Sequence, residues 1–398
     1  MASPTFEIPS VESAARDRYA RQRLIPWWDQ RRLAAARIIV VGAGAIGNEV
    51  LKLLALTGIG HTLVVDFDVI EVSNLARAVL FRDGDIGLGK AEVAARRTAE
   101  LNPQCEVRSF HGDVEHDLGE GVFHEADLVL GCVDNLHARL VVNRLCQRAG
   151  IPFVNGGIAD VTGEIALFVP GQGACFECLM TAGAWRHEMR RYSCGGLRNL
   201  APQHHVPTTA TIATVVASYM VNEALYWLHR HPDGGKGGLP PGSRLFLSLD
   251  PYLLQPLAIP VDPECLAHER LTALDRIDSG PGDVTARDIA SRLGLAPDSD
   301  DWELLLPFEW LAALHCEACG RTEAVDAVLQ RVTVERDLCP HCATPGREKT
   351  ILHRLTGADP AARRPLAELG VPERGVVAAR MPDRSTRYVV LGAPFWGV

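Results

Sequence analysis

The chain has 398 residues, enough for two domains or more, and its 47% hydrophobic and 22% charged content excludes wholesale disorder. A formal net charge of −9 argues against a protein that binds nucleic acid by neutralising phosphates, and no apolar run reaches the length of a membrane span. Residues 1–10 carry no basic start followed by an apolar stretch, so a cytoplasmic location is expected, where the 11 cysteines would stay reduced. Six of them stand in Cys-x-x-Cys pairs, a spacing that favours metal over disulfides.

Residues 1–36 read as a polar lead-in followed by a largely helical stretch from 16 to about 36. The run 37–42, Arg-Ile-Ile-Val-Val-Gly, is then a buried parallel strand by composition. A helix over 47–58, a strand at 61–66, a helix over 89–101 and strands at 105–110 and 126–132 follow. A helix over 135–150 and a strand at 152–155 complete a βαβ rhythm, which predicts a Rossmann-like, doubly wound, mostly parallel α/β sheet. From Val161 the texture changes, and 163–169 and 244–249 read as strands of an antiparallel extension. A polar loop over 181–207 and a long apolar helix over 209–229 lie between them. The Asp-Ser-Gly-Pro-Gly-Asp stretch at 278–283 is the best linker. The organisation expected is therefore a first, α/β domain over 1–275 and a linker with a short helix and strand over 276–312. A cysteine-rich module over 313–346 and a tail with a hairpin over 347–398 follow.

Gly42-Ala-Gly44-Ala-Ile-Gly47 follows a strand and opens a helix, so backbone N–H groups can approach a phosphate. Asp66 closes the second strand, where its carboxylate can accept from ribose hydroxyls. A nicotinamide site would share these features. The continuation differs: Asp66-Phe-Asp68, then Asn74-Leu-Ala-Arg77, Gly89-Lys90 and Cys132-Val-Asp134-Asn135. Arginine and lysine neutralise phosphate oxygens and an aspartate can hold Mg2+, the requirements of ATP. Only four of the 40 basic residues are lysines, so Lys90 stands out. Asp68 reads either as a turn cap or as part of this site, and Asn135 and Arg139 read as a helix start and a surface residue.

This motif set resembles the ubiquitin-activating-enzyme superfamily, including the adenylyltransferases of sulfur carriers, over roughly residues 15–270. The resemblance implies that Gly42, Gly44 and Gly47 lie near the α-phosphate and that Asp66 binds ribose. It further implies that Asn74, Arg77 and Lys90 contact phosphates and that Asp134 binds Mg2+. Arg18-Tyr-Ala-Arg21-Gln matches a family motif whose second arginine, here Arg21, reaches a partner subunit's site; a homodimer is the corollary. The family flanks the arginine after Asn-Leu with Asn or Gln, where this chain has Ala76 and Ala78.

Cys175-Phe-Glu-Cys178 is similar to the family's first zinc knuckle, and Cys265-Leu-Ala-His268 stands where a second pair is expected. Three cysteines and one histidine make a physically sound zinc set. Cys316, Cys319, Cys339 and Cys342 follow a C-x2-C-x19-C-x2-C pattern, a zinc-ribbon signal, with 328–334 reading as a strand between the knuckles. Cys105, Cys132 and Cys146 read as buried packing residues. Cys194, in Arg190-Arg-Tyr-Ser-Cys-Gly-Gly, falls in the family's crossover loop, which often carries a thioester-forming cysteine, and the adjacent arginines favour a thiolate. His204 and His205 read as helix-entry residues.

The resemblance implies ATP-dependent adenylation of the C-terminal glycine of a ubiquitin-like protein, followed by thioester formation on Cys194 and transfer to a conjugating enzyme. The alternatives are a sulfur-carrier adenylyltransferase and a non-catalytic scaffold with a decayed ATP site. The absence of a rhodanese-like segment and the presence of a zinc ribbon favour conjugation. Neither nucleic acid nor membrane is expected as a partner.

Overall fold

Residues 17–193, 196–199, 207–229 and 237–397 are described by a computed structural model. The chain divides into two units. The first comprises Met1–Asp113, Ala126–Leu179 and Val206–His268, and the second Val114–Glu125, Met180–His205 and Glu269–Val398.

In the first unit the apolar run after Ala36 forms β1 (Arg37–Val41), whose last four residues are buried. It is flanked in parallel by β2 (His61–Asp66) on one side and β4 (Leu128–Gly131) on the other, with β3 (Glu106–His111) and β5 (Phe153–Ala159) outside them. The order β3-β2-β1-β4-β5 is that of a doubly wound sheet. The connecting helices are α1 (Gln30–Ala35), α2 (Ala45–Thr57), α3 (Lys90–Leu101) and α4 (Leu136–Ala149). Gly58 and Gly150 end α2 and α4 in the left-handed region, where a Cβ would be strained. β6 (Thr162–Phe168) turns antiparallel to β5. After α5 (Ala182–Met189), which belongs to the second unit, the chain returns through α6 (Ala210–Leu228) to β7 (Ser243–Leu249) and β8 (Tyr252–Ala258). The result is an eight-stranded sheet with an antiparallel extension. Its core joins Ile38, Val40, Val64, Leu128 and Val154 to Leu51 and Leu54 of α2 and Val216 and Met220 of α6. Burying each of the larger side chains contributes roughly 1.5–3 kcal/mol.

The helix expected over 16–36 is interrupted. Gln22–Leu24 is a 3-10 turn and α1 begins only at Gln30, because Pro26 supplies no N–H and Trp27 and Trp28 turn to pack on Tyr226 and His229 instead.

The second unit is built on a six-stranded sheet of β9 (Leu274–Ile277), β10 (Glu303–His315), β11 (Thr322–Val328), β12 (Glu348–Leu355), β13 (Val376–Arg380) and β14 (Thr386–Leu391). α7 (Ala286–Arg292) packs into its core. The stretch read from sequence as a linker thus holds α7 and most of β10. The Gly/Pro turn at 278–283 does punctuate the chain, yet Ile277 before it and Trp302 and Leu304 beyond it are buried in one core. The expected strand at 328–334 lies earlier, since the ladder with β10 ends at Val328. Leu329–Arg331 and Val334–Asp337 are 3-10 turns. The hairpin in the tail is β13–β14. No helix among the described residues is long and apolar enough to cross a membrane.

Candidate active site and metal centres

The winding of the first sheet reverses between β1 and β4, so a crevice opens at their carboxyl ends, the usual ligand position in such sheets. The three glycines following β1 are needed there for different reasons. Gly42 has φ +96°, and a Cβ on it would lie 2.7 Å from the Cys132 carbonyl oxygen. A Cβ on Gly47 would lie 2.0 Å from the Gly42 carbonyl oxygen, so that glycine lets α2 approach the sheet. Gly44 faces open space, with nothing within 4 Å of a Cβ built there. The first and third glycines are therefore demanded by packing, and the second leaves a cradle at the helix N-terminus.

Asp66 stands beside this turn at the end of β2. Its Oδ2 accepts the Ala43 N–H at 2.7 Å and its Oδ1 the Asp68 N–H at 2.8 Å. Burial pushes its pKa up, against the pull of those two N–H groups and of Lys90. Lys90, the first residue of α3, places Nζ 2.8 Å from Asp68 Oδ2. Asp68 thus both shapes the turn, through its backbone, and holds Lys90, through its side chain. Asn74 is buried, and its Oδ1 accepts the Glu71 N–H, so its side chain shapes the turn that carries Arg77. Arg77 is half-buried and makes no ion pair among the described residues. Ala78 is buried in the core with Leu80 and Phe81, which leaves no room for the amide side chain that the resemblance leads one to expect there.

After β4, Asp134 is exposed, and Asn135 caps α4 by accepting the Ala138 N–H. Arg139 is not a surface residue. It donates to the Val133 and Gly156 carbonyls and to Asn155 Oδ1, all at 2.8–2.9 Å, and so ties the Asp134 turn to β5. Asn155, level with Gly131 at the carboxyl end of β4, keeps a buried Nδ2 with no hydrogen-bond partner, a donor free to meet a ligand. Arg18 donates to the Leu101 carbonyl and Tyr19 accepts from Asn102, which pins the N-terminal motif to the end of α3. Arg21, two residues on, is exposed and makes no ion pair among the described residues.

Both expected metal clusters are assembled. The ligand atoms of Cys175, Cys178, Cys265 and His268 lie within 4.8 Å of one another, as do those of Cys316, Cys319, Cys339 and Cys342. A tetrahedron with arms of about 2.3 Å has edges of about 3.8 Å. Sulfur separations of 3.6 and 3.9 Å in the first cluster and 3.5 and 3.8 Å in the second fit that figure, and His268 Nε2 is 3.4 Å from Cys178 Sγ. Burial pushes the Cys175 thiol up to about 12, so a cation is needed to hold it as thiolate. Cys342 is drawn down to about 6 by the Thr344 hydroxyl and backbone. The first knuckle is fixed to α4 by a bidentate Arg144–Glu177 pair at 2.6 and 3.0 Å and by Asn143, which accepts the Phe176 N–H.

Arg139, Asn155, Arg144, Asn143 and Glu177 are the residues that sequence reasoning missed or undervalued. Glu177 between two ligand cysteines was the one available signal. Cys105, Cys132 and Cys146 are buried, with burial pushing each thiol up. Cys194, His204 and His205 lie outside the described residues.

The model of the ThiF family matches residues 17–250, more than half of the chain. The SAMP-activating enzyme E1 of Haloferax volcanii is 37% identical over 173 residues, 43% of this chain and 64% of that protein. The sulfur carrier protein adenylyltransferase of Thermus thermophilus is 37% identical over 171 residues, 41% and 63% of the two chains. SUMO-activating enzyme subunit 2 of Dictyostelium discoideum is 40% identical over 148 residues, 37% and 22%. The chain spans less than two thirds of each of these relatives. Among solved structures, the microcin C7 biosynthetic enzyme MccB in complex with N-formylated MccA superposes with a TM-score of 0.54 at 25% identity, over 66% of this chain and 77% of that one. The chain belongs to the ThiF family, within the superfamily of ubiquitin-activating-type adenylyltransferases that its nucleotide motifs resemble.

Proposed function

We propose that the chain uses ATP and Mg2+ to adenylate the C-terminal glycine of a small ubiquitin-like protein, as a homodimer, and then takes the acyl group on Cys194. The open cradle at Gly44, between Asp66 and the Cys132–Asp134 turn, carries this reading, because helix N–H groups there suit a phosphate. A chain-terminal carboxyl, with a pKa of about 3.3–3.7, is already ionised at neutral pH and needs no general base. The difficulty is bringing it against a polyphosphate. Arg77, Lys90 and Arg21 of a second copy offset that repulsion, and Mg2+, held at Asp134, supplies further neutralisation when bound. A carboxylate oxygen bonds to the α-phosphorus as pyrophosphate leaves, giving an acyl-adenylate. The Cys194 thiolate then attacks the acyl carbon and AMP leaves, giving a thioester ready for a conjugating enzyme. Zinc is the metal proposed for both cysteine clusters, on their ligand types and edge lengths.

A second reading is supported by the comparisons. The identity to a sulfur carrier protein adenylyltransferase equals that to a SAMP-activating E1, so the adenylate would serve sulfur transfer instead. ATP–pyrophosphate exchange, measured against small proteins ending in Gly-Gly, tests the shared step. Asp134→Ala is expected to lower it on the order of a hundredfold, as loss of one charge-stabilising group does; near-normal exchange would overturn the ATP reading. Cys194→Ser should keep exchange and lose a thiol-sensitive adduct with the partner. Exchange without any adduct in the wild type would favour sulfur transfer.

A further inference from the structure

Leu197 is 1% exposed, and its packing neighbours all belong to the C-terminal module. They are Leu311 and Leu314 of β10, and Leu329 and Val332 between the two ribbon knuckles. Leu197 itself comes from the crossover segment, more than a hundred residues earlier in the chain. The backbone follows it: the Arg198 N–H donates to the Val332 carbonyl at 2.8 Å, and the Val334 N–H to the Arg198 carbonyl at 2.9 Å. At Gly196, φ is +78° and a Cβ would lie 2.9 Å from Leu329, so the approach requires glycine. On its other side Arg198 pairs with Tyr192, and the Ser193 N–H donates to the Leu197 carbonyl at 2.8 Å. Asn199 closes the base by donating its N–H to the Arg191 carbonyl at 2.7 Å. These contacts make 191–193 and 196–199 two paired arms of a hairpin docked on the ribbon, and Cys194 falls between Ser193 and Gly196 in the sequence.

The surfaces that receive Leu197 adjoin the ribbon's cysteines. β10 ends at His315, next to Cys316, and the turn Val334–Asp337 runs into Leu338 and Cys339. A metal joining Cys316 and Cys319 to Cys339 and Cys342 fixes both ends of the Leu197 pocket. We propose that the four-cysteine ribbon is a clamp that positions the crossover hairpin for acyl transfer, with Leu197 as the positioning residue. This rests on the reading of Cys194 as acyl acceptor.

The test uses the full chain. In Leu197→Ala, amide hydrogen exchange across 190–199 is expected to quicken roughly a hundredfold, the scale of a lost buried leucine, while exchange in β1–β5 stays unchanged. Pyrophosphate exchange should also hold, whereas thiol-sensitive adduct formation should fall by about tenfold or more, a barrier change of about 1.4 kcal/mol or more. Leu197→Met should restore both. Cys339→Ser, which removes one ribbon ligand, should loosen 190–199 in the same way. Unchanged exchange over 190–199 in both Leu197→Ala and Cys339→Ser overturns the clamp, and a loosened hairpin with an undiminished adduct rate overturns its positioning role. A loosened hairpin in a protein whose wild type forms no adduct upholds the clamp and defeats the Cys194 reading instead.

Discussion

Burial and backbone hydrogen bonds act on Asp66 in opposite directions, and burial wins, so its pKa stands above the ordinary carboxylate value. The folded state therefore binds this proton more readily than the unfolded chain. The stability Asp66 contributes is fully present below its unfolded pKa and is lost as pH rises through the folded one. Asp66→Asn removes that dependence and turns an amide N–H2 toward one of the two N–H groups now accepted, a loss of about 1–3 kcal/mol. Thermal unfolding of both proteins across mildly acidic to neutral pH should show the variant's deficit largest at the acidic end. A deficit that grows with pH would mean that the ionised form is the favoured one. The glycines beside Asp66 were legible in the sequence because backbone sterics alone dictate them. Arg139 was not, because its role depends on where β5 places Asn155 and Gly156, which no local pattern reports.

At the scale of elements, legibility followed burial. β1, β2 and β4 are parallel strands covered on both faces, so each is a continuous apolar run closed by a glycine or aspartate. β8 is exposed along nearly its whole length and β10 shifts register between Leu311 and Ala313, so neither presents a clean period of two. The cysteine spacings were legible because ligand geometry constrains sequence directly. Each chain is expected to carry two zinc ions by elemental analysis of the purified protein. One ion would eliminate the Cys175/Cys178/Cys265/His268 site first, because there the exposed His268 stands in place of a fourth thiolate. Cys316→Ser should lose one zinc and, with an apparent zinc binding free energy of about 10–16 kcal/mol in comparable small sites, much of the order around β11.

For the whole molecule, the segment from Asp66 to Lys90 presents an unusual surface. Phe67, Val69, Val72, Val79, Ile86 and Leu88 are all more than 40% exposed, while Asp68, Arg77 and Lys90 lie among them in sequence. Exposed apolar side chains in this number on one segment suit an association surface, and the segment is the one that carries Asp66, Arg77 and Lys90. A homodimer that covers them would bring a second copy to the edge of the site, where Arg21, held outward by the anchored Arg18 and Tyr19, has no partner of its own among the described residues. Val72→Asp should therefore shift the protein toward monomer in sedimentation, since a buried unpaired charge would be required in the dimer. The stronger test is complementation. Arg21→Ala and Asp134→Ala should each be inactive in pyrophosphate exchange, yet mixed under conditions of subunit exchange they form hybrids. One of the two sites in such a hybrid combines the intact Asp134 of one copy with the intact Arg21 of the other. Random pairing makes half of the dimers hybrid with one such site each, so recovery of about a quarter of wild-type activity is expected. No recovery, with hybrid formation verified by differential tagging, would place Arg21 in its own chain's site and remove the need for a second copy.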